Sequence, residues 1–277
     1  MTPKRILVTA RYVSGTDVLT EGGSGRFMKC VVDVLRELGH EVTATTEPET
    51  VANEKFDLII CSHKEKFEAV KNNPAPKLFI SHGLISDEAP PVDADLFCVS
   101  VSEEVQKHNR LLGVESRVIG QPVRLNWQTS VGPSLRKILV IRRYPVERDP
   151  FAFLSTQYDL RYSDPSTAIE PQIEWADLCI TIGRGALEAM AQGRLVLVAD
   201  NRGYIGEAGD GYVDGGNVKE IEKCNFSGRR FRHPLTKEWI EEELNKYDRR
   251  DVLNLFAYVV KTHRADSVVR EYLRYAR

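Results

Sequence analysis

Apolar positions along this chain follow two rhythms. Short continuous runs read as strands: RILVTA (Arg5–Ala10), FDLIICS (Phe56–Ser62), KLFISHG (Lys77–Gly83), DLFCVS (Asp95–Ser100) and RVIGQPV (Arg117–Val123), with EVTATT between the first two. Between them the spacing turns helical. Phe27, Val31, Val34, Leu35 and Leu38 recur at helix intervals through Phe27–His40, and Gly39 is placed as a C-cap. SEEVQKHNRLLG begins on Ser102 as an N-cap and stops at Gly113. Strands apolar on both faces, joined by crossover helices, predict a parallel sheet covered on both sides.

Periodicity lapses over residues 124–136, RLNWQTSVGPSLR, where Gly132 and Pro133 mark a linker or a long loop within one domain. The alternation restarts with KILVIRR (Lys137–Arg143). YDLRYS, ADLCITIG and RLVLVAD follow as strands, with AIEPQIEWA and GALEAMAQG as short helices and TKEWIEEELNKY as an amphipathic one. The fold class is α/β, with two Rossmann-like, doubly wound domains, residues 1–123 and 137–250, and ligands at the strand C-terminal edges in the cleft between them. A helical run over 251–277 ends the chain. Its apolar positions Leu253, Phe256, Val259, Val260, Tyr272 and Leu273 become core if it crosses back to the first domain.

Composition narrows the class. The 277 residues are 42% hydrophobic and carry a net charge of −2, so no bulk field draws the chain to nucleic acid or membranes. The N-terminus lacks a signal-peptide cleavage pattern, and no run approaches the roughly 20 apolar residues of a membrane span. The expectation is a cytoplasmic protein, with peripheral membrane association left open. The five cysteines include no C-x-x-C pair, and Cys61, Cys98 and Cys179 lie in strand runs, which suits buried reduced thiols.

Four places carry candidate chemistry. The loop Glu21-Gly22-Gly23-Ser24-Gly25-Arg26 opens a helix, so its amides can meet an anion, although it is neither G-x-G-x-x-G nor a P-loop. His82 closes a strand in Ser81-His82-Gly83, where an imidazole can bind a hydroxyl or move a proton. Arg142 and Arg143 end the first strand of the second half and suit a diphosphate; the alternative is a solvated pair answered by Glu147 or Asp149. The last is Gly183-Arg184-Gly185-Ala186, a turn opening a helix that carries Glu188 one turn in. That carboxylate can accept two hydrogen bonds from a ribose diol, or it can be a solvent-facing helix residue. His40, His63, His108, His233 and His263 are read as surface or packing residues.

The stretch GALEAMAQGRLVLVAD resembles the donor-binding segment of GT-B glycosyltransferases, in particular the retaining, family-four-like group. EGGSGR, ISHG, the run CVSVSEEV…LGV…RVIGQPV and DGGNVKEIEKCNFSGR (Asp214–Arg229) are similar to further motifs of that family, in the same order. The resemblance implies the GT-B fold and transfer of a sugar, with retention, from a nucleotide-sugar donor such as a UDP- or GDP-sugar. It implies Glu188 on the ribose, the amides of Gly183–Ala186 on the pyrophosphate or donor sugar, and Arg142 or Arg143 on phosphate. Gly22 and Gly23 would join the donor site, and His82 would lie near the reacting sugar. Neither metal nor cofactor is implied, since protein cations take that role.

The chain departs from the family in three ways. Ile180 stands where the E-x-x-x-x-x-x-x-E motif has its first glutamate. The family's lysine after the Arg142/Arg143 site has no clear equivalent, Arg148 being a candidate. The chain is short, which suggests trimmed acceptor-side loops. An epimerase or a degenerate nucleotide-sugar-binding partner protein are the alternatives. The acceptor, whether saccharide, lipid-linked sugar, protein, small metabolite or modified DNA, is not legible.

Overall fold

The computed structural model describes residues 2–11, 22–128, 131–142, 149–201 and 207–276. The chain divides into two compact units, Met1–Pro122 with His263–Arg277, and Val123–Thr262.

The first unit alternates strands and helices: β1 (Arg5–Thr9), α1 (Gly22–Glu37), β2 (Glu41–Thr45), β3 (Leu58–Cys61), α2 (Lys64–Val70), β4 (Lys77–Ser81), β5 (Phe97–Ser100), α3 (Glu103–Leu111) and β6 (Arg117–Val118). Its sheet has the order β2-β1-β3-β4-β5-β6, with every pairing parallel. The chain moves from β1 to one side and returns on the other, so a topological switch point lies between β1 and β3. Outside the carboxyl ends of such a strand pair, the diverging connections leave a crevice for ligands. The apolar runs form these strands because both sheet faces are covered. Ile6, Leu7 and Val8 are fully buried, as are Leu58, Ile59 and Ile60 to within 1% exposure.

In the second unit, β7 (Lys137–Val140), β8 (Asp159–Tyr162), α4 (Ile169–Trp175), β9 (Leu178–Thr181), α5 (Arg184–Ala191), β10 (Leu195–Asp200) and β11 (Ala208–Tyr212) precede α6 (Val218–Glu222), α7 (Lys237–Leu244) and α8 (Asp251–Thr262). The sheet order is β11-β10-β9-β7-β8, parallel except for the β10–β11 pair. Read from β8, this is the same winding as the first unit, and its switch point lies between β7 and β9. The antiparallel edge strand β11, AGDGY, gives no strand signal in the sequence. Its glycines weaken the pattern, and α7 supplies part of its register, since the Tyr212 amide donates to Glu243 Oε2 at 2.8 Å.

Three sequence readings change. Residues 124–136 are not a detached connector in their described part. Val123 and Val131 belong to the core of the second unit, the Asn126 amide donates to Ala191 O at 3.2 Å, and Tyr247 Oη donates to Gly132 O at 2.9 Å. The run over 251–277 is two helices, α8 and α9 (Ala265–Tyr275), with α8 packed in the second unit and α9 in the first. The break at His263–Arg264 coincides with the return into the first unit, where His263 Nδ1 lies 3.0 Å from Gln121 O. Val268, Val269, Tyr272 and Leu273 of α9 then bury against the core that includes Phe27 and Met28 of α1, and Tyr272 Oη donates to Gly120 O. Finally, the helix expected from Phe27 begins at Gly22, so the glycines of EGGSGR from Gly22 onward form its first turn rather than a loop.

Burial pushes the Cys61 thiol far up and the Cys98 and Cys179 thiols up to about 12, which keeps all three protonated and inert. Among the described residues no helix is long and apolar enough to cross a membrane.

Candidate functional site

The switch point of the second unit gathers most of the sequence candidates. Ile141-Arg142 follow β7, and the Ile141 amide donates to Ile180 O of β9 at 2.9 Å. Ile182-Gly183 follow β9, and α5 begins at Arg184. Both connections therefore start at the same sheet edge.

Gly183 makes the turn at φ 57°, ψ −129°, a conformation that costs little only without a Cβ. Gly185 is required for a different reason: a Cβ there would overlap the Thr181 hydroxyl. The turn is internally satisfied. The Gly183 amide donates to Phe226 O at 2.8 Å, that of Gly185 to Ile182 O at 3.2 Å and that of Ala186 to Gly183 O at 3.1 Å. The expectation of open amides across Gly183–Ala186 is thus revised. The tight turn spends three of them on the fold, and what it offers an anion is the partial positive charge of the helix end.

Helix α5 is buried along its whole length, which removes the solvent-facing reading of Glu188. Glu188 is 9% exposed and Arg184 8%, and Arg184 Nε donates to Glu188 Oε1 at 2.7 Å. The i,i+4 spacing brings the pair together on one helix face. A charge taken out of water needs a partner of this kind, and the desolvation of two charges is rarely repaid in stability alone.

Arg142 is a half-buried cation at the same edge. Its Nη2 donates to Asp149 Oδ2 at 3.0 Å, and the guanidinium lies 4.2 Å from the centre of the Tyr162 ring. Burial and a hydrogen bond with Asp149 raise the Tyr162 hydroxyl well above its ordinary range. Arg142 Nη1 is buried and finds no hydrogen-bond acceptor among the described residues. Arg143, Glu147 and Arg148 lie outside the described residues, so of the two acids expected to answer the arginines, Asp149 is the one seen. Beside it opens a concavity of about 510 Å³ lined by Asp149, Phe153, Glu207, Leu235, Thr236 and Lys237. Ile180, at the place of the missing glutamate, is fully buried inside β9 between Val140 and Leu197.

The first unit carries the remaining candidates. Gly22 and Gly23 start α1, Gly22 with φ 54°. His82 follows β4, and its ring meets Phe27 of α1 edge-on at 4.5 Å. The structure adds His63, which the sequence reading set aside. It follows β3 at the switch point, is 3% exposed, and adopts φ 76°, ψ 128°, a strained backbone for a residue with a side chain. Its Nδ1 lies 3.3 Å from Ser62 Oγ and 3.4 Å from the Arg11 amide. Burial lowers its pKa and favours the neutral ring. Arg11 follows β1 at the same edge and is held by Glu65 at 3.2 Å and by Asp87. The strand-end position that singled out His82 applies equally to His63 after FDLIICS. Among the described residues no three His, Cys, Asp or Glu side chains gather into a metal-holding group.

No family model matches the sequence, and no curated protein matches it. Solved structures do match the whole chain in fold. AviGT4, a glycosyltransferase involved in avilamycin A biosynthesis, aligns at TM-score 0.60 and 13% identity, over 99% of this chain and 97% of that one. An α-glucosyltransferase in complex with UDP and a 13-mer DNA containing an HMU base aligns at TM-score 0.55 and 14% identity, over 99% of each chain. A putative UDP-N-acetylglucosamine 2-epimerase from Listeria monocytogenes aligns at TM-score 0.52 and 10% identity, over 98% and 95%. At such identities the likeness shows the fold: two Rossmann-like units of GT-B type.

Proposed function

We propose that the protein is a glycosyltransferase that moves a sugar from a nucleotide-sugar donor to a hydroxyl acceptor. The observation that carries this reading is the buried Arg184–Glu188 pair, one turn beyond the Gly183 turn at the switch point of the second unit. A carboxylate held at a strand-end crevice suits the two hydroxyls of a ribose. The α5 end and Arg142, with its buried and unanswered Nη1, suit the diphosphate. Arg143 is assigned with Arg142, and Gly22 and Gly23 at the α1 terminus join the donor site. His82 is assigned to the reacting sugar. The donor is a UDP- or GDP-sugar, and the protein works in the cytoplasm.

Transfer breaks the bond between the anomeric carbon and the diphosphate oxygen, and the electron pair leaves with the diphosphate. Arginines placed for that charge stabilise it as it develops, without a metal. The acceptor oxygen then bonds to the anomeric carbon on the face the diphosphate leaves, which retains the configuration. The test is a panel of UDP- and GDP-sugars scored for release of the nucleoside diphosphate. Stabilisation by a nucleoside diphosphate without turnover of any donor would favour a binding protein instead. Ile180, buried where the family's donor-sugar glutamate would stand, gives that second reading its support.

A further inference from the structure

One stretch of the second unit breaks the charge balance of the chain. Residues 223–237, KCNFSGRRFRHPLTK, lead from α6 to α7 and hold five lysines and arginines and no aspartate or glutamate, in a protein of net charge −2. The donor site described above uses none of these cations.

The backbone of this connection is fixed from within. Asp210 of β11 is 4% exposed, and its Oδ1 accepts from the Phe231 amide at 2.7 Å. The amides of Gly228, Arg230 and Arg232 face the same carboxylate. Gly209 and His233 exchange both of their backbone hydrogen bonds at 2.9 Å, and Phe226 O takes the Gly183 amide beside the start of α5. These ties hold Asn225, Phe226 and Arg232 at φ 57°, 50° and 59°. Left-handed backbone is uncommon for a residue with a side chain, persists only where the surroundings over-determine it, and clusters at functional segments.

With the amides turned inward, the side chains of the loop meet solvent. Arg230, Phe231, Arg232 and His233 are all exposed, Phe231 by 43%. The Arg230 guanidinium lies 6.0 Å from the centre of the Phe231 ring, and the His233 ring 6.3 Å from it. Arg230 is 2.6 Å from Glu220, an acid it shares with Lys223, and Lys237 is 3.8 Å from Glu241. Exposed pairs of this kind are weak and screened, so a competing anion displaces them readily. No carboxylate among the described residues pairs with Arg232.

A ring set among cations restricts the partner. A small phosphate would use the charges and leave the ring in water. A membrane would also use the charges, but Phe226 and Leu235 are buried, and one ring on a fixed loop is no apolar face to insert. A nucleic acid strand uses both features: its phosphates repeat so as to meet more than one guanidinium, and an unpaired base stacks on an exposed ring.

We propose that residues 229–233 bind single-stranded nucleic acid, with Arg230 and Arg232 on phosphates and the Phe231 ring stacked on a base. This surface lies within the second unit alone and does not depend on the glycosyltransferase reading.

The experiment follows the fluorescence anisotropy of a labelled oligothymidine of about 20 nucleotides at salt concentrations from about 0.05 to 0.2 M. It compares the wild type with Phe231→Ala, Phe231→Trp and the double variant Arg230→Ala/Arg232→Ala. Phe231→Ala should weaken Kd about 5- to 150-fold, and Phe231→Trp should keep wild-type affinity. The double variant should reduce the slope of log K against log salt by about 1.4, two phosphate contacts at about 0.7 each. Melting temperatures should stay within about 2 °C of the wild type, because the replaced side chains are exposed. Failure of the wild type to bind the strand at the lowest salt overturns the proposal. So does equal binding of heparin or of phosphatidylglycerol vesicles that is undiminished in Phe231→Ala, since charge alone would then account for the surface. A duplex bound as tightly as the single strand overturns the stacking role. A thermal shift with UDP or GDP that is lost in the arginine variant reassigns the loop to the donor and overturns it as well. Strand binding by a wild type that shows no UDP or GDP shift upholds this proposal and sinks the glycosyltransferase reading, so the two fail separately.

Discussion

Replacing Glu188 by alanine separates its part in the fold from its part in binding. In the unliganded protein the change removes the 2.7 Å hydrogen bond between Glu188 and Arg184, which is 8% exposed. Breaking a buried pair by removing one member costs about 3–5 kcal/mol, far more than the pair contributes, because the other charge stays buried. For a chain of this size, each kcal/mol moves the melting temperature by roughly 2–4 °C, so a fall of about 6–20 °C is expected. The ligand effect is read on top of that baseline. A nucleoside diphosphate at about 100 times its Kd stabilises the wild type by about 2.7 kcal/mol. Losing a hydrogen bond to a charged group, about 1.5–3 kcal/mol, weakens Kd by roughly 10- to 150-fold. At the same ligand concentration, about 1 kcal/mol of stabilisation or less would then remain for all but the smallest weakening. Urea unfolding with and without UDP or GDP measures both quantities on one sample. Full ligand stabilisation in Glu188→Ala would refute the ribose assignment, and an unchanged unliganded stability would refute the account of the buried pair.

Other changes test the remaining parts. Gly183→Ala forces a Cβ onto a backbone at φ 57°, ψ −129° and should cost about 1–3 kcal/mol by denaturant unfolding. Arg142→Met removes the cation whose Nη1 has no acceptor among the described residues; UDP or GDP binding should weaken at least tenfold by calorimetry. His63 is buried neutral beside Arg11, Asp87 and Glu65, with its pKa lowered from 6.5, so the unfolded state binds more protons below that value. Stability should therefore rise with pH through the window below 6.5 and be fully present above it. His63→Asn should flatten that dependence in a pH series of unfolding curves.

Much of the fold is legible because its strands are buried on both faces. LIIC and LVLVAD are continuous apolar runs, and their burial leaves them few alternatives. What is not legible depends on partners far along the chain. AGDGY becomes β11 through Glu243 on α7 and through Gly211 at φ 96°, and no local pattern announces either. The break between α8 and α9 has neither glycine nor proline at Thr262-His263-Arg264. It falls where His263 meets Gln121, a contact that local propensity does not encode.

The candidate site divides along the same line. Gly183, Arg184 and Glu188 lie close together in sequence, so their spacing alone suggests a shared edge, and the structure supplies the burial that the spacing lacked. Arg11, His63 and Asp87 are separated by tens of residues. They come to one edge because β3 pairs with β1 on one side and β4 on the other, a strand order that no short motif carries. His63 was nonetheless within reach of sequence reasoning, since it ends a buried strand as His82 does.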